Sequence, residues 1–162
     1  MSDTQTQIPA ETQAVIGLRT QHTYEVTAKD IRRYAQAIGD PNPAFTDVDA
    51  ATDAGFDGIL APPLFCHTLA FEDVPANQLR ADGLPIELDL PLPVDRAVGG
   101  GSTYEVLGFV RPGDTITVTK VIEDIYRKAG SSGDLYFVVL TTEYVNQDGA
   151  LLARERGTFV NR

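Results

Sequence analysis

A chain of 162 residues has the size of one domain with one substantial core. Its formal charge of −10 is spread along the whole length, which argues against a nucleic-acid surface of clustered cations, though not against a small phosphate-bearing ligand held by local arginines. No run approaches the ~20 apolar residues that a bilayer span needs, and the single cysteine, Cys66, rules out an intrachain disulfide or a thiolate metal site.

Residues 1–13 are polar, rich in Thr and Gln, and carry neither a basic n-region nor an apolar h-region. They read as a flexible leader ahead of one domain over 14–162 in a cytoplasmic protein. Residues 14–26, with Val15, Ile16, Leu18, Tyr24 and Val26, hold an opening strand. A helix follows. Thr27 is its N-cap, with Asp30 three residues on where a carboxylate suits the positive helix end. Ile31, Tyr34, Ala35 and Ile38 form one stripe, Gly39 supplies the C′ residue and Pro41 forbids continuation.

Asp40-Pro41-Asn42-Pro43-Ala44-Phe45 is too proline-dense for a helix or a central strand. Residues 47–54 predict a short acidic helix ended by Gly55. Pro62-Pro63 sets the first turn of another helix, because proline at N1 lacks only an N–H that would go unpaired there. Over 64–71 that helix is apolar nearly all round, apart from His67 and Thr68, and so belongs inside the protein. Cys66 then reads as a small buried hydrophobe and His67 as a hydrogen-bonded core histidine, while His22 reads as a surface residue. The stretch 72–98, broken by Pro75, Pro85, Pro91 and Pro93, is irregular and long for a loop.

Four β-like segments (about 101–110, 114–127, 134–146 and 150–160) fill the last third. Their joints at 111–114, 130–133 and 146–149 carry Gly with Pro, Asp or Ser, and each reads as a hairpin. In the third segment Leu135, Phe137 and Val139 point one way while Tyr136, Val138 and Leu140 point the other. Two apolar faces need two covers. One internal helix supplies one, and a second subunit is the expected source of the other. The elements together give an α+β architecture, an antiparallel meander wrapped around one buried helix.

The sequence Gly39-Asp40-Pro41-Asn42-Pro43-Ala44-Phe45, followed by Asp47 and by Ala61-Pro62-Pro63-Leu64-Phe65, resembles the MaoC-like dehydratase/hydratase family. The hydratase signature of that family reads roughly G-D-x-N-P-(I/L)-H-x-D. The likeness is nearer to its FAS1-like dehydratase N-terminal branch, with G-D-x-N-P-x-(Y/F) and A-P-P-x-F, and it extends to Gly113-Asp114 and Asp148-Gly149. The resemblance implies the hot-dog fold, an acyl group carried as a CoA or carrier-protein thioester, and neither a separate cofactor nor a metal.

Active members hydrate a trans-2-enoyl thioester or dehydrate its 3-hydroxy partner with an Asp/His pair, and a backbone N–H polarises the carbonyl. Carried over by position, Asp40 matches the catalytic Asp and Asn42 its neighbour, and Phe45 stands where the histidine should be. Phenylalanine moves no proton. Pro62 and Pro63 stand where the His-Gly backbone donor should be, and proline has no N–H. The resemblance therefore implies a histidine-less subunit whose His-bearing hot-dog partner performs the chemistry. Phe45, Pro62, Pro63, Leu64 and Phe65 are its candidate acyl-binding residues. Three alternatives stay open: Asp40 and Asn42 as turn residues only, a homodimeric enzyme of drifted chemistry using Asp40 with His67 or Tyr34, and a non-catalytic acyl-thioester binding module. Neither nucleic acid nor membrane is an expected partner.

Overall fold

The computed structural model describes residues 8–72, 74–79, 90–94, 96–131 and 133–162. The expectations for residues 1–7 and for most of 80–95 lie outside the described residues. Among the described residues, four short helices (α1, Ala10–Gln13; α2, Ala28–Ile38; α3, Val48–Asp53; α4, Phe65–Thr68) accompany five strands (β1, Arg19–Glu25; β2, Ala97–Val106; β3, Thr115–Gly130; β4, Gly133–Val145; β5, Leu151–Asn161). The strands form one antiparallel sheet in the order β1-β3-β4-β5-β2.

Local chemistry sets α2. The Thr27 hydroxyl accepts from Asp30 N while the Asp30 carboxylate accepts from Thr27 N, a reciprocal capping box. Gly39 closes the helix in the left-handed region at φ 68°, which a side chain resists. Asp47 caps α3 by accepting from Ala50 N.

Two of the three expected hairpins form. Gly130 pairs with Gly133 across the β3–β4 turn, and residues 146–150 link β4 to β5. The joint at 111–114 is not a hairpin, because β2 pairs with β5 and β3 lies between β1 and β4. The sheet is thus no simple meander. The turn instead docks on the end of β1: Gly113 N donates to Val26 O, and Val26 N donates to Asp114 O. The buried Asp114 carboxylate accepts from Arg111 N and Gln147 Nε2.

One sheet face holds the main core, in which Ile116, Val118, Tyr144 and Ala153 pack with Ile31 and Ala35 of α2, Phe45, and Phe65, Cys66 and Leu69. The central helix is shorter and more exposed than its sequence predicts. Only Phe65–Thr68 are helical, and Phe65, Cys66, Leu69 and Ala70 turn inward while Leu64 and His67 stay open to solvent. Because α4 is one turn long, the far end of the same face needs another cover. Ile8, Val15, Ile16, Leu90 and Leu92 supply it, packing on Ile122, Ile125 and Val138. Residues 10–13 consequently form α1 and depart from the flexible leader expected there, with Thr12 buried and its hydroxyl bonded to Pro91 O.

The opposite face of β4 is not a bare apolar surface awaiting a subunit. Phe137 stacks on Tyr126 with ring centroids 4.8 Å apart, and Lys128 lies over both rings. Beyond them, Arg156 grips Glu123 and Arg154 grips Glu143. Exposed apolar side chains gather elsewhere, at Val98, Val106, Leu107 and Phe109 on and just after the edge strand β2.

Candidate functional site

The loop after α2 was the sequence's main candidate. Asp40 N donates to Ala35 O, which holds the loop against the helix end. One Asp40 carboxylate oxygen accepts from Asn42 N at 3.0 Å, and Asn42 Oδ1 accepts from Ala44 N at 3.1 Å, capping a short 3₁₀ turn over Pro43–Phe45. Both polar side chains therefore shape their own backbone, as Asx residues between prolines do. Asp40 makes no side-chain hydrogen bond to His67 or Tyr34 among the described residues.

Phe45, at the histidine position, is 5% exposed and belongs to the main core. Pro62 is buried with its carbonyl accepting from Phe65 N, whereas Pro63 and Leu64 are exposed. Phe65 meets Tyr34 edge-to-face at 5.6 Å, and burial raises the Tyr34 phenol above its ordinary titration range. These two rings border an open depression of about 310 Å³ lined also by Tyr24, Arg33, Leu69 and Phe71. The structure thus gathers Phe65 and Tyr34 at one surface but seals Phe45 beneath it. His22, expected at the surface, is half-buried with Nε2 2.9 Å from Leu69 O, an atom pair that only an N–H donor satisfies.

His67 is hydrogen-bonded, as the sequence suggested, but it is not in the core. Its Nδ1 lies 2.8 Å from a Glu155 carboxylate oxygen, with the imidazole 54% exposed and the carboxylate 13% exposed. Lys120, 7% exposed, reaches the same small cavity of about 50 Å³, together with Thr142, Phe71, Leu140 and Phe159. Sequence reasoning missed Glu155 and Lys120. The signal was strand parity: Glu155 alternates with Ala153 and Gly157 on the inward set, and Lys120 alternates with Val118 and Ile122. Charged residues at inward positions are the informative ones.

Cys66 is buried as expected, and burial pushes its thiol up to about 11. Among the described residues no group of three or more His, Cys, Asp or Glu side chains is placed to hold a metal ion, and no helix is long and apolar enough to cross a membrane.

A five-stranded antiparallel sheet curled round a short central helix, with a Gly-Asp-Pro-Asn-Pro loop at its side, defines a MaoC-like hot-dog protein. The chain matches the family model of the FAS1-like dehydratase domain region over residues 14–155 and belongs to that family. It is 39% identical over 108 residues, 67% of each chain, to a UPF0336 protein of Streptomyces avermitilis. It is 28% identical over 133 residues to a probable enoyl-CoA hydratase alpha subunit of Thermomonospora curvata, covering 78% of this chain and 41% of that one. Among solved structures, the C-terminally truncated HadBC 3R-hydroxyacyl-ACP dehydratase complex of Mycobacterium tuberculosis aligns with a TM-score of 0.68. That alignment covers 90% of this chain and 96% of the other at 22% identity, a likeness of fold.

Proposed function

We propose that this chain is the histidine-less subunit of an (R)-specific enoyl-thioester hydratase or 3-hydroxyacyl-thioester dehydratase, paired with a His-bearing hot-dog subunit. One observation carries the reading: a buried phenyl ring occupies the histidine position of the motif, while Asp40 and Asn42 each accept a hydrogen bond from the backbone of their own turn. Hydration in the active members pairs a carboxylate with a histidine as hydroxide adds to Cβ, and this loop offers the Asp40 carboxylate alone. The oxyanion donor is missing as well, since neither Pro62 nor Pro63 has an N–H. The partner supplies both, and this chain contributes apolar side chains for the acyl group at Phe65, Tyr34, Leu69 and Phe71 around the open depression. The thioester handle is the pantetheine arm of CoA or of a carrier protein.

Two related proteins support the pairing. One is a probable alpha subunit of an enoyl-CoA hydratase, and the other belongs to the HadBC 3R-hydroxyacyl-ACP dehydratase complex. The test is reconstitution. The isolated chain should hydrate short trans-2-enoyl-CoA at background, and co-expression with a hot-dog chain carrying the intact Asp-x-x-x-x-His spacing should give an active complex. A positioned acid/base contributes about 10²–10⁴-fold and an oxyanion donor about 10²–10³-fold, so the contrast is large. Turnover of about tens per second from the isolated chain, well within the range of working enzymes, would refute the reading.

A further inference from the structure

The outer side of α2 carries a row of cations that folding does not explain. Lys29, Arg32, Arg33 and Gln36 stand at i, i+3, i+4 and i+7, all exposed, away from the buried Ile31 and Ala35. Lys29 lies in the first turn, where the helix dipole disfavours a positive charge, and the last turn, where it would favour one, has none. Lys29 also faces Arg32 and Arg33 at spacings where like charges repel. Asp30 is the only acid on the helix, and its carboxylate accepts from the Thr27 N-cap. Cations elsewhere are engaged: Arg111, Arg127, Arg154 and Arg156 meet carboxylates, and Lys128 lies over two rings. Lys29, Arg32 and Arg33 form no salt bridge among the described residues.

We infer that this row is a docking surface for the acidic face of a helix on a partner protein, distinct from the exposed apolar edge at β2. The row is one helix face wide and about 10 Å long, which matches a single helix bearing Glu or Asp at the same spacing. Other anions fit it less well. A lone phosphate needs donors that converge, and side chains on a convex helix face diverge. A duplex or a bilayer is broad enough to meet the exposed Asp49 and Asp53 of α3 as well, since α3 and α2 pack on the same 3₁₀ turn. A slim acidic helix meets the cations first, and salt screens it from the rest of the −10 chain beyond about 8–10 Å. A second copy would have to offer its α3, and contact between unlike patches builds rings or open chains.

The test titrates the ¹⁵N-labelled full-length chain with a synthetic helical peptide bearing Glu at i, i+3, i+4 and i+7, read by NMR. Shifts are expected at Lys29, Arg32, Arg33 and Gln36, and binding should weaken as salt rises. A peptide of the same composition with its Glu residues scattered round the helix should bind more weakly. Arg32→Gln should weaken binding by about two- to fivefold, and Arg156→Gln, on the outer sheet face, should leave it unchanged. Circular dichroism checks each variant's fold, and if Arg32→Gln does not fold, Lys29→Gln carries the test. Five results would each overturn the inference: no binding, equal binding of the scattered peptide, shifts gathered instead at Arg96, Lys128 and Arg162, the same shifts produced by inorganic phosphate, or self-assembly in sedimentation that Arg32→Gln dissolves. None of these bears on the silent-half reading, which stands or falls on enoyl-CoA hydration.

Discussion

At position 45 a phenyl ring fills space in the main core, so the question of restoring a histidine there is one of packing as well as chemistry. Phe45→His should remain inactive toward enoyl thioesters, because Pro62 and Pro63 still withhold the carbonyl donor. It should also lose stability, by about 1–3 kcal/mol from the unpaired polar ring alone, read as a lower denaturant midpoint. Strong activity from that single change would mean the site is otherwise intact. Cys66 makes a different prediction. Burial raises its thiol to about 11 from an ordinary value of 9, so the folded chain holds the proton where the unfolded chain releases it. Its contribution to stability is therefore complete below about pH 9 and lost as pH rises toward 11. Burial raises the neighbouring Tyr104 phenol too, which adds in the same direction. Thermal melts should fall across that window, and Cys66→Ala should flatten part of the fall. Thiol reagents should stay silent at neutral pH until denaturant is added.

The turn at 111–114 is the element whose role changed most between sequence and structure. Its Gly and Asp signalled a tight turn, and the turn is there, with Gly113 at φ 93°. What it connects was not readable, since pairing partners depend on which strand reaches which edge. Asp114→Ala removes an acceptor for Arg111 N and Gln147 Nε2 and frees the tether to β1. A loss of about 2–3 kcal/mol is expected in urea titrations, with Asp114→Asn losing less. The caps of α2 and α3 were legible at the level of single residues, because Thr27, Asp30, Gly39 and Asp47 act on their own backbone. The length of α4 was not, because an apolar run does not say where tertiary packing stops rewarding a helix. The Asp40 loop was legible as a turn and as a family motif. The His67–Glu155 contact joins residues far apart in the chain, and only strand parity hinted at it.

The whole molecule presents β2 as an edge strand, flanked by exposed Val98, Val106, Leu107 and Phe109, with no lysine along Ala97–Val106 to blunt it. An association surface is expected there, and sedimentation should find more than a monomer at micromolar concentration. Phe109→Asp should shift that equilibrium toward monomer while the circular dichroism spectrum stays the same. A stable wild-type monomer would refute it. The strand order also imposes a schedule on folding. The hairpins β3–β4 and β4–β5 close over short turns, whereas Ala97 must find Asn161 far along the chain and Arg19 must find Val121 across most of it. Local closures cost less entropy and come early, and long-range edges come late. In stopped-flow refolding, Ile122→Val on β3 should therefore slow folding. Val26→Ala, beside the last-docking β1, should instead hasten unfolding. Until both edges arrive, the nascent chain is a three-stranded ribbon with two open sides, and it is in that interval, rather than in the finished protein, that it is most exposed to pairing with the wrong neighbour.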